Sequence, residues 1–309
     1  MPFTVPSQRK GVTHLFTPKL TAFEHTPKAS DSEPQNIIIF IGGLLDGLLT
    51  VPYPISISDE LPSDWSIAQV LLSSAYTGWG ISSLKKDVAE LSKCVAYFRT
   101  IKSGKIILMG HSTGCQDVLE YLTGSGHETN APIDGGIIQG PVSDREALGQ
   151  EMDADVLKGS ISLAQKMVNA GDGEEVLPSS ATQGFFPSPV CARRWLSLAS
   201  PNHDGDDDYF SSDLTDEQLK KTFGSLPARS PLCILFSGAD EYVPKFVDKE
   251  ALVKRWIDIV KKGNGKVDEE NSAVVAGASH NLTKSPEAVP ELVKRVLGFL
   301  DGLSSHSHL

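Results

Sequence analysis

The run Ile37-Ile38-Ile39-Phe40-Ile41 constrains this chain more than any other stretch, because an unbroken apolar segment without alternation makes a strand shielded from water on both faces. Such a strand belongs in the middle of a sheet that has helices on either side. It stops at Gly42-Gly43, which marks a loop at its C-terminal end. Comparable strands are readable at Ile67 to Leu72, Lys105 to Met109, Gly135 to Gln139, Leu232 to Phe236 and Ala273 to Ala276. Helical patterns lie between most of them. Ser82 to Arg99 carries Leu84, Val88, Leu91, Val95 and Phe98 at helical spacing, Val118 to Leu122 continues a helix, and Ala288 to Leu300 supplies the last one. This alternation predicts an α/β chain with a mostly parallel, doubly wound sheet. Val12 to Thr17 and Leu20 to His25, followed by a polar turn over Thr26 to Asn36, predict an opening antiparallel pair.

The stretch from Ser143 to Arg229 breaks the rhythm, with no central-strand pattern and many Pro, Gly, Ser and Asp residues. The expectation is one core made of 1–142 and 230–309, with 143–229 inserted as a lid. That insertion carries 15 acidic and 8 basic side chains, so it holds −7 of the chain's −11. Its acidic run from Asp204 to Glu217 contains no Lys or Arg and predicts a solvated, mobile loop in preference to a substrate-attracting rim. A calcium hand is rejected there, because Tyr209 replaces the turn glycine and Thr215 the closing glutamate.

The net charge of −11 argues against nucleic-acid binding, which needs a basic footprint. Nothing after Met1 resembles a signal-peptide core or a membrane span, so a cytoplasmic chain without a membrane partner is expected. Ser307-His308-Leu309 is a loose variant of the peroxisomal Ser-Lys-Leu address and supplies the weaker alternative. Cys94, Cys115, Cys191 and Cys233 fit neither a disulfide framework nor a zinc site, and are expected to be buried free thiols. No phosphate-loop or dinucleotide fingerprint follows the first buried strand. Neither a metal nor a cofactor is therefore expected.

Gly110-His111-Ser112-Thr113-Gly114 matches the nucleophile elbow, and its context of buried strand before and helix after gives the match its weight. A serine hydroxyl needs a base, and His280, just past the last apolar strand, is the candidate. His14, His25, His127, His203, His306 and His308 read as solvated side chains, and His111 as a packing or hydrogen-bonding residue of the elbow. Asp240 follows the strand Leu232 to Phe236 and is preferred over the adjacent Glu241, which reads as a solvent-facing neighbour. The order Ser, Asp, His is that of the α/β-hydrolase fold. Oxyanion donors are expected at the amides of Thr113 and Leu44, with Gly43 as the neighbouring alternative to Leu44. Asp46 reads equally as a contact for a cationic substrate or as a loop cap. Trp79, Phe185, Phe186 and Trp195 are the candidate substrate-lining aromatics.

With the Gly-His-Ser-Thr-Gly elbow, Ile41-Gly-Gly-Leu-Leu-Asp-Gly47, Ala75-Tyr-Thr-Gly-Trp-Gly80 and Gly140-Pro-Val-Ser-Asp-Arg-Glu146, the chain resembles the fungal intracellular siderophore esterases over nearly its whole length. The resemblance implies hydrolysis of the esters of fusarinine-type hydroxamate siderophores, with or without iron, assisting iron release. A general carboxylesterase, thioesterase or acyltransferase using the same residues, or a non-catalytic binding protein, is the alternative.

Overall fold

The computed structural model describes residues 8–26 and 33–305; the C-terminal Ser307-His308-Leu309, with His306, lies outside the described residues. Strands β1 (Gly11–Leu15) and β2 (Thr21–His25) form the expected antiparallel pair. Then follow β3 (Asn36–Ile41), α1 (Tyr53–Glu60), β4 (Trp65–Leu71), α2 (Leu84–Ile101), β5 (Ile106–His111), α3 (Gly114–Thr123) and β6 (Gly135–Gln139). Four helices come next: α4 (Asp144–Glu151), α5 (Ala154–Ala170), α6 (Ala192–Ala199) and α7 (Asp216–Lys220). The chain returns to the sheet with β7 (Leu232–Ser237), α8 (Lys249–Lys262), β8 (Ala273–Val275) and α9 (Val289–Ser305). The strands lie in the order β1-β2-β4-β3-β5-β6-β7-β8, antiparallel at the β1-β2-β4 edge and parallel elsewhere. This is the α/β-hydrolase fold.

Successive residues of a strand point to opposite faces, so the run 37–41 divides between two cores. Ile37, Ile39 and Ile41 pack with Leu91, Phe98 and Val118 from α2 and α3, while Ile38 and Phe40 pack with Tyr53, Val296 and Phe299 from α1 and α9. A third apolar cluster lies within 143–229, where Leu148, Met152, Ala164, Trp195 and Leu198 enclose Trp79. Its helices are capped by sequence: Asp153 accepts from the amides of Asp155 and Val156 at the start of α5, and Gly171 ends that helix in a left-handed conformation, φ 92°.

Three expectations need correction. His14 and His25 are buried, His14 against Tyr97 and Phe98 of α2 and His25 against Gln69 of β4. His14 bonds Glu24 at 2.9 Å and Tyr97 at 3.0 Å, and burial lowers the His25 pKa to about 4. The acidic run also departs from a solvated loop. Asp207 is buried against the guanidinium of Arg194, and Asp208 accepts from Arg145 at 3.2 Å. All four cysteines are buried and free. Among the described residues, no helix is long and apolar enough to cross a membrane.

Candidate active site

Ser112 stands between β5 and α3 with φ 54°, a backbone conformation rare outside glycine and characteristic of a strained strand-to-helix turn. The flanking glycines are needed because a Cβ at Gly110 would lie 2.1 Å from the Gly114 carbonyl oxygen. The Ser112 amide donates to the Gln139 carbonyl at 3.0 Å, which fixes the turn against the end of β6.

His280 lies five residues past the end of β8. Its Nε2 is 2.9 Å from Ser112 Oγ and its Nδ1 is 2.7 Å from Asp240 Oδ2. Asp240 accepts through its other oxygen from the Tyr242 amide at 3.1 Å. A carboxylate at Nδ1 assigns the proton to that nitrogen and leaves Nε2 as the acceptor for the serine hydroxyl. The structure thus brings Ser112, His280 and Asp240 into one hydrogen-bonded chain.

Among the groups that hold this chain, sequence reasoning missed Tyr242 and Gln139, while His111 is the packing and hydrogen-bonding residue it was expected to be. Tyr242 packs edge-on against the His280 ring at 4.9 Å, and His111 lies 4.8 Å away. Buried Gln139 bridges the two histidines, with Oε1 2.6 Å from His111 Nδ1 and Nε2 donating to Ser237 Oγ at 2.9 Å and the His280 carbonyl at 3.3 Å. Burial is the main cause lowering the His111 pKa, to about 4, with nearby His280 adding to it. His111 is therefore neutral at physiological pH. The signal for Gln139 was a polar residue closing an otherwise apolar strand.

Glu241 is no solvent-facing neighbour. It accepts the His280 amide at 2.8 Å through Oε2 and Lys284 Nζ at 2.8 Å through Oε1. Burial acts to raise its pKa but is outweighed by these donors, and the net shift is downward.

The loop after β3 lies directly over the serine. Asp46 serves as its cap, since one oxygen accepts the Gly43 amide at 2.8 Å and the other accepts Thr50 Oγ1 at 2.8 Å. This withdraws Gly43 as an oxyanion donor, while the amides of Leu44 and Thr113 donate to no acceptor among the described residues. Thr113 also stands at the N-terminus of α3, whose first amides favour negative charge.

Two of the four aromatic candidates do not line a cleft. Trp79 and Trp195 are 2% and 0% exposed, and the Trp195 indole donates to Ser160 Oγ at 3.1 Å. Phe186, half-buried, packs edge-on against Trp79 at 4.7 Å, and Phe185 is 38% exposed. Leu44 packs against this same cluster, so segment 143–229 touches the loop above Ser112. An open cleft of about 960 Å³ lies between α4 and residues 240–246, beside the Asp240 turn. A depression of about 780 Å³ opens at the N-terminal ends of β5, β6 and β7, near Lys105, Asp134 and Pro231, away from Ser112. No group of His, Cys, Asp and Glu suited to a metal occurs among the described residues.

The family described as "Protein of unknown function (DUF1749)" matches residues 3–301. Fusarinine C esterase sidJ of Aspergillus fumigatus is 38% identical, with 95% of this chain and 96% of the relative covered. Esterase AN6793 of Emericella nidulans is 37% identical, with 94% and 92% covered. Among solved structures, the siderophore hydrolase EstB from Aspergillus fumigatus superposes with a TM-score of 0.83 at 37% identity, covering 96% of this chain and 98% of that one.

Proposed function

Since this chain belongs to the DUF1749 family, we propose that it is a serine esterase acting on fusarinine-type hydroxamate siderophores. The observation that carries the reading is the Ser112-His280-Asp240 chain, with contacts of 2.9 and 2.7 Å, in a protein whose relatives are named as esterases and a siderophore hydrolase. Ser112 Oγ attacks the ester carbonyl as its proton passes to His280 Nε2, and Asp240 stabilises the resulting imidazolium. The unpaired amides of Thr113 and Leu44 hold the oxyanion. His280 returns the proton to the leaving alkoxide, and water, activated by the same histidine, releases the acyl group.

Opening a cyclic siderophore removes the preorganisation and high effective concentration of its chelating arms, which weakens its hold on iron. Iron is then cargo of the substrate, and the protein needs no metal or cofactor of its own. We read 143–229 as a lid over this chemistry, with Phe185 and Phe186 as its substrate-facing aromatics. Attraction of a cationic siderophore falls to exposed carboxylates such as Asp204 and Asp206, because Asp207 and Asp208 are engaged in ion pairs. Four unpaired thiols suit a reducing compartment, and we place the activity in the cytoplasm.

Mass spectrometry of ferric and iron-free fusarinine-type siderophores after incubation with the protein tests the proposal. The expected result is ring opening by the wild type and none by Ser112→Ala. Equal turnover by both would overturn the mechanism, and no cleavage by the wild type would overturn the substrate.

A further inference from the structure

Regular sheet pairing ends at Val275, yet the His280 ring must stay within hydrogen-bond reach of two groups on separate elements. The intervening chain includes Gly277 at φ 70°, and Leu282 just beyond lies at φ 60°. No strand or helix contains His280, so its main chain is held by side chains. On the carbonyl side, Gln139 Nε2 and Ser237 Oγ each approach to 3.3 Å. On the amide side there is Glu241, at 2.8 Å.

We propose that Glu241 is a positioning residue: its carboxylate, fixed by Lys284, holds the His280 main chain so that the ring stays between Asp240 and Ser112. The inference rests on the reading of His280 as the general base. Adjacent carboxylates grip one residue in two places, Asp240 at the ring nitrogen and Glu241 at the backbone N–H. The two grips are complementary. A ring held only at Nδ1 can still swing with its backbone, and a hydrogen-bonded pair needs both position and direction to transfer a proton. Glu241 is itself constrained at both ends, since Gln150 Nε2 donates to its carbonyl at 3.1 Å and Lys284 Nζ to its Oε1 at 2.8 Å. Lys284 is tied back to the same loop through its amide, which donates to Ser279 Oγ at 3.2 Å.

Glu241→Ala, Glu241→Gln and Lys284→Met are compared with the wild type on a p-nitrophenyl ester, with melting temperature and amide hydrogen exchange across 277–285 measured in parallel. Glu241→Ala should lower kcat by about 10- to 100-fold with KM nearly unchanged. Glu241→Gln retains an acceptor for the His280 amide and should recover most of the activity. Lys284→Met should show a smaller loss, and the double variant with Glu241→Ala should be no worse than Glu241→Ala alone, as expected for groups acting in series. Exchange in 277–285 should rise in Glu241→Ala. Wild-type kcat in that variant, or a Gln variant as impaired as the Ala variant, would overturn the positioning role. If Glu241→Ala misfolds, Lys284→Met decides: unchanged kcat and unchanged exchange refute the proposal. Raised exchange in a chain whose wild type cleaves no ester refutes the esterase reading and leaves the loop-holding role standing.

Discussion

Gly43→Ala gives a direct test of how closely the loop after β3 approaches the serine. A Cβ at residue 43 would lie 2.6 Å from Ser112 Cβ and 3.1 Å from Ser112 Oγ. Nonbonded carbons rest at about 3.5–4.0 Å, so relief requires a displacement of roughly 1 Å. Gly43 is not among the residues with positive φ, and alanine therefore brings no backbone penalty of that kind. A change of serine rotamer moves Oγ but not Cβ, so rotation does not remove the clash. Neither partner yields easily: Ser112 is pinned through its amide to Gln139, and the loop is held by Asp46, Thr50 and the Tyr76 hydroxyl. A shift of that size takes Oγ out of its 2.9 Å contact with His280. Misplacements of about 1 Å cost on the order of 100-fold, or about 2.7 kcal/mol in the barrier. The assay is kcat/KM on a p-nitrophenyl ester together with the rate at which a fluorophosphonate labels Ser112. Gly149→Ala, where an added Cβ meets nothing within 4 Å, is the control. Activity within twofold of wild type for Gly43→Ala, at an unchanged melting temperature, would refute the argument.

Asp87→Asn concerns the carboxyls buried around Arg194. Burial is the main cause raising the Asp87 pKa from 3.8 to about 6, so the folded state favours its neutral form. The corresponding stability is present below pH 4 and lost as pH rises through 6, a difference of roughly 3 kcal/mol. Asparagine should remove that slope and raise the melting temperature at pH 7 relative to wild type, and equal pH dependence of the two in thermal melts would count against it. Trp195→Ala empties the core of segment 143–229 and should cost about 3–5 kcal/mol in urea unfolding, with a loss below 1 kcal/mol contradicting its buried placement.

The central strands, the elbow, His280 and Asp240 were legible because each rests on a short-range pattern: an unbroken apolar run, and a loop just beyond its C-terminal end. Other features depend on pairings far apart in the chain. In β1 only His14 is buried, while Val12 on the same face and Leu15 on the other are 56% and 62% exposed, so hydropathy does not mark the buried position. Trp79 and Trp195 were read as cleft aromatics because nothing local shows that they enter the same cluster. Asp207 looked solvated because its partner, Arg194, stands outside the acidic run. Helix α5 was legible in principle, since Val156, Leu157, Ile161, Ala164, Met167 and Val168 share an apolar side, but Gly159 and Ser160 interrupt the pattern. Glu241 was weighed only as a rival to Asp240, a comparison that leaves out a bond to the main chain.

The cluster around Trp79 bears on how such enzymes diversify. Trp79 precedes α2, outside segment 143–229, yet it is enclosed by that segment, and its carbonyl accepts from buried Arg194 at 3.2 Å. Leu44, from the loop above Ser112, packs against the same cluster. The heritable unit is thus discontinuous. A chimaera that exchanges 143–229 alone would set the Trp79 indole and Leu44 against side chains that did not enclose them, whereas one that carries residues 44 and 75–80 with it transfers a complete surface. Changes of substrate by recombination in this family are therefore expected to be rarer than changes by substitution, and to show their breakpoints in three places.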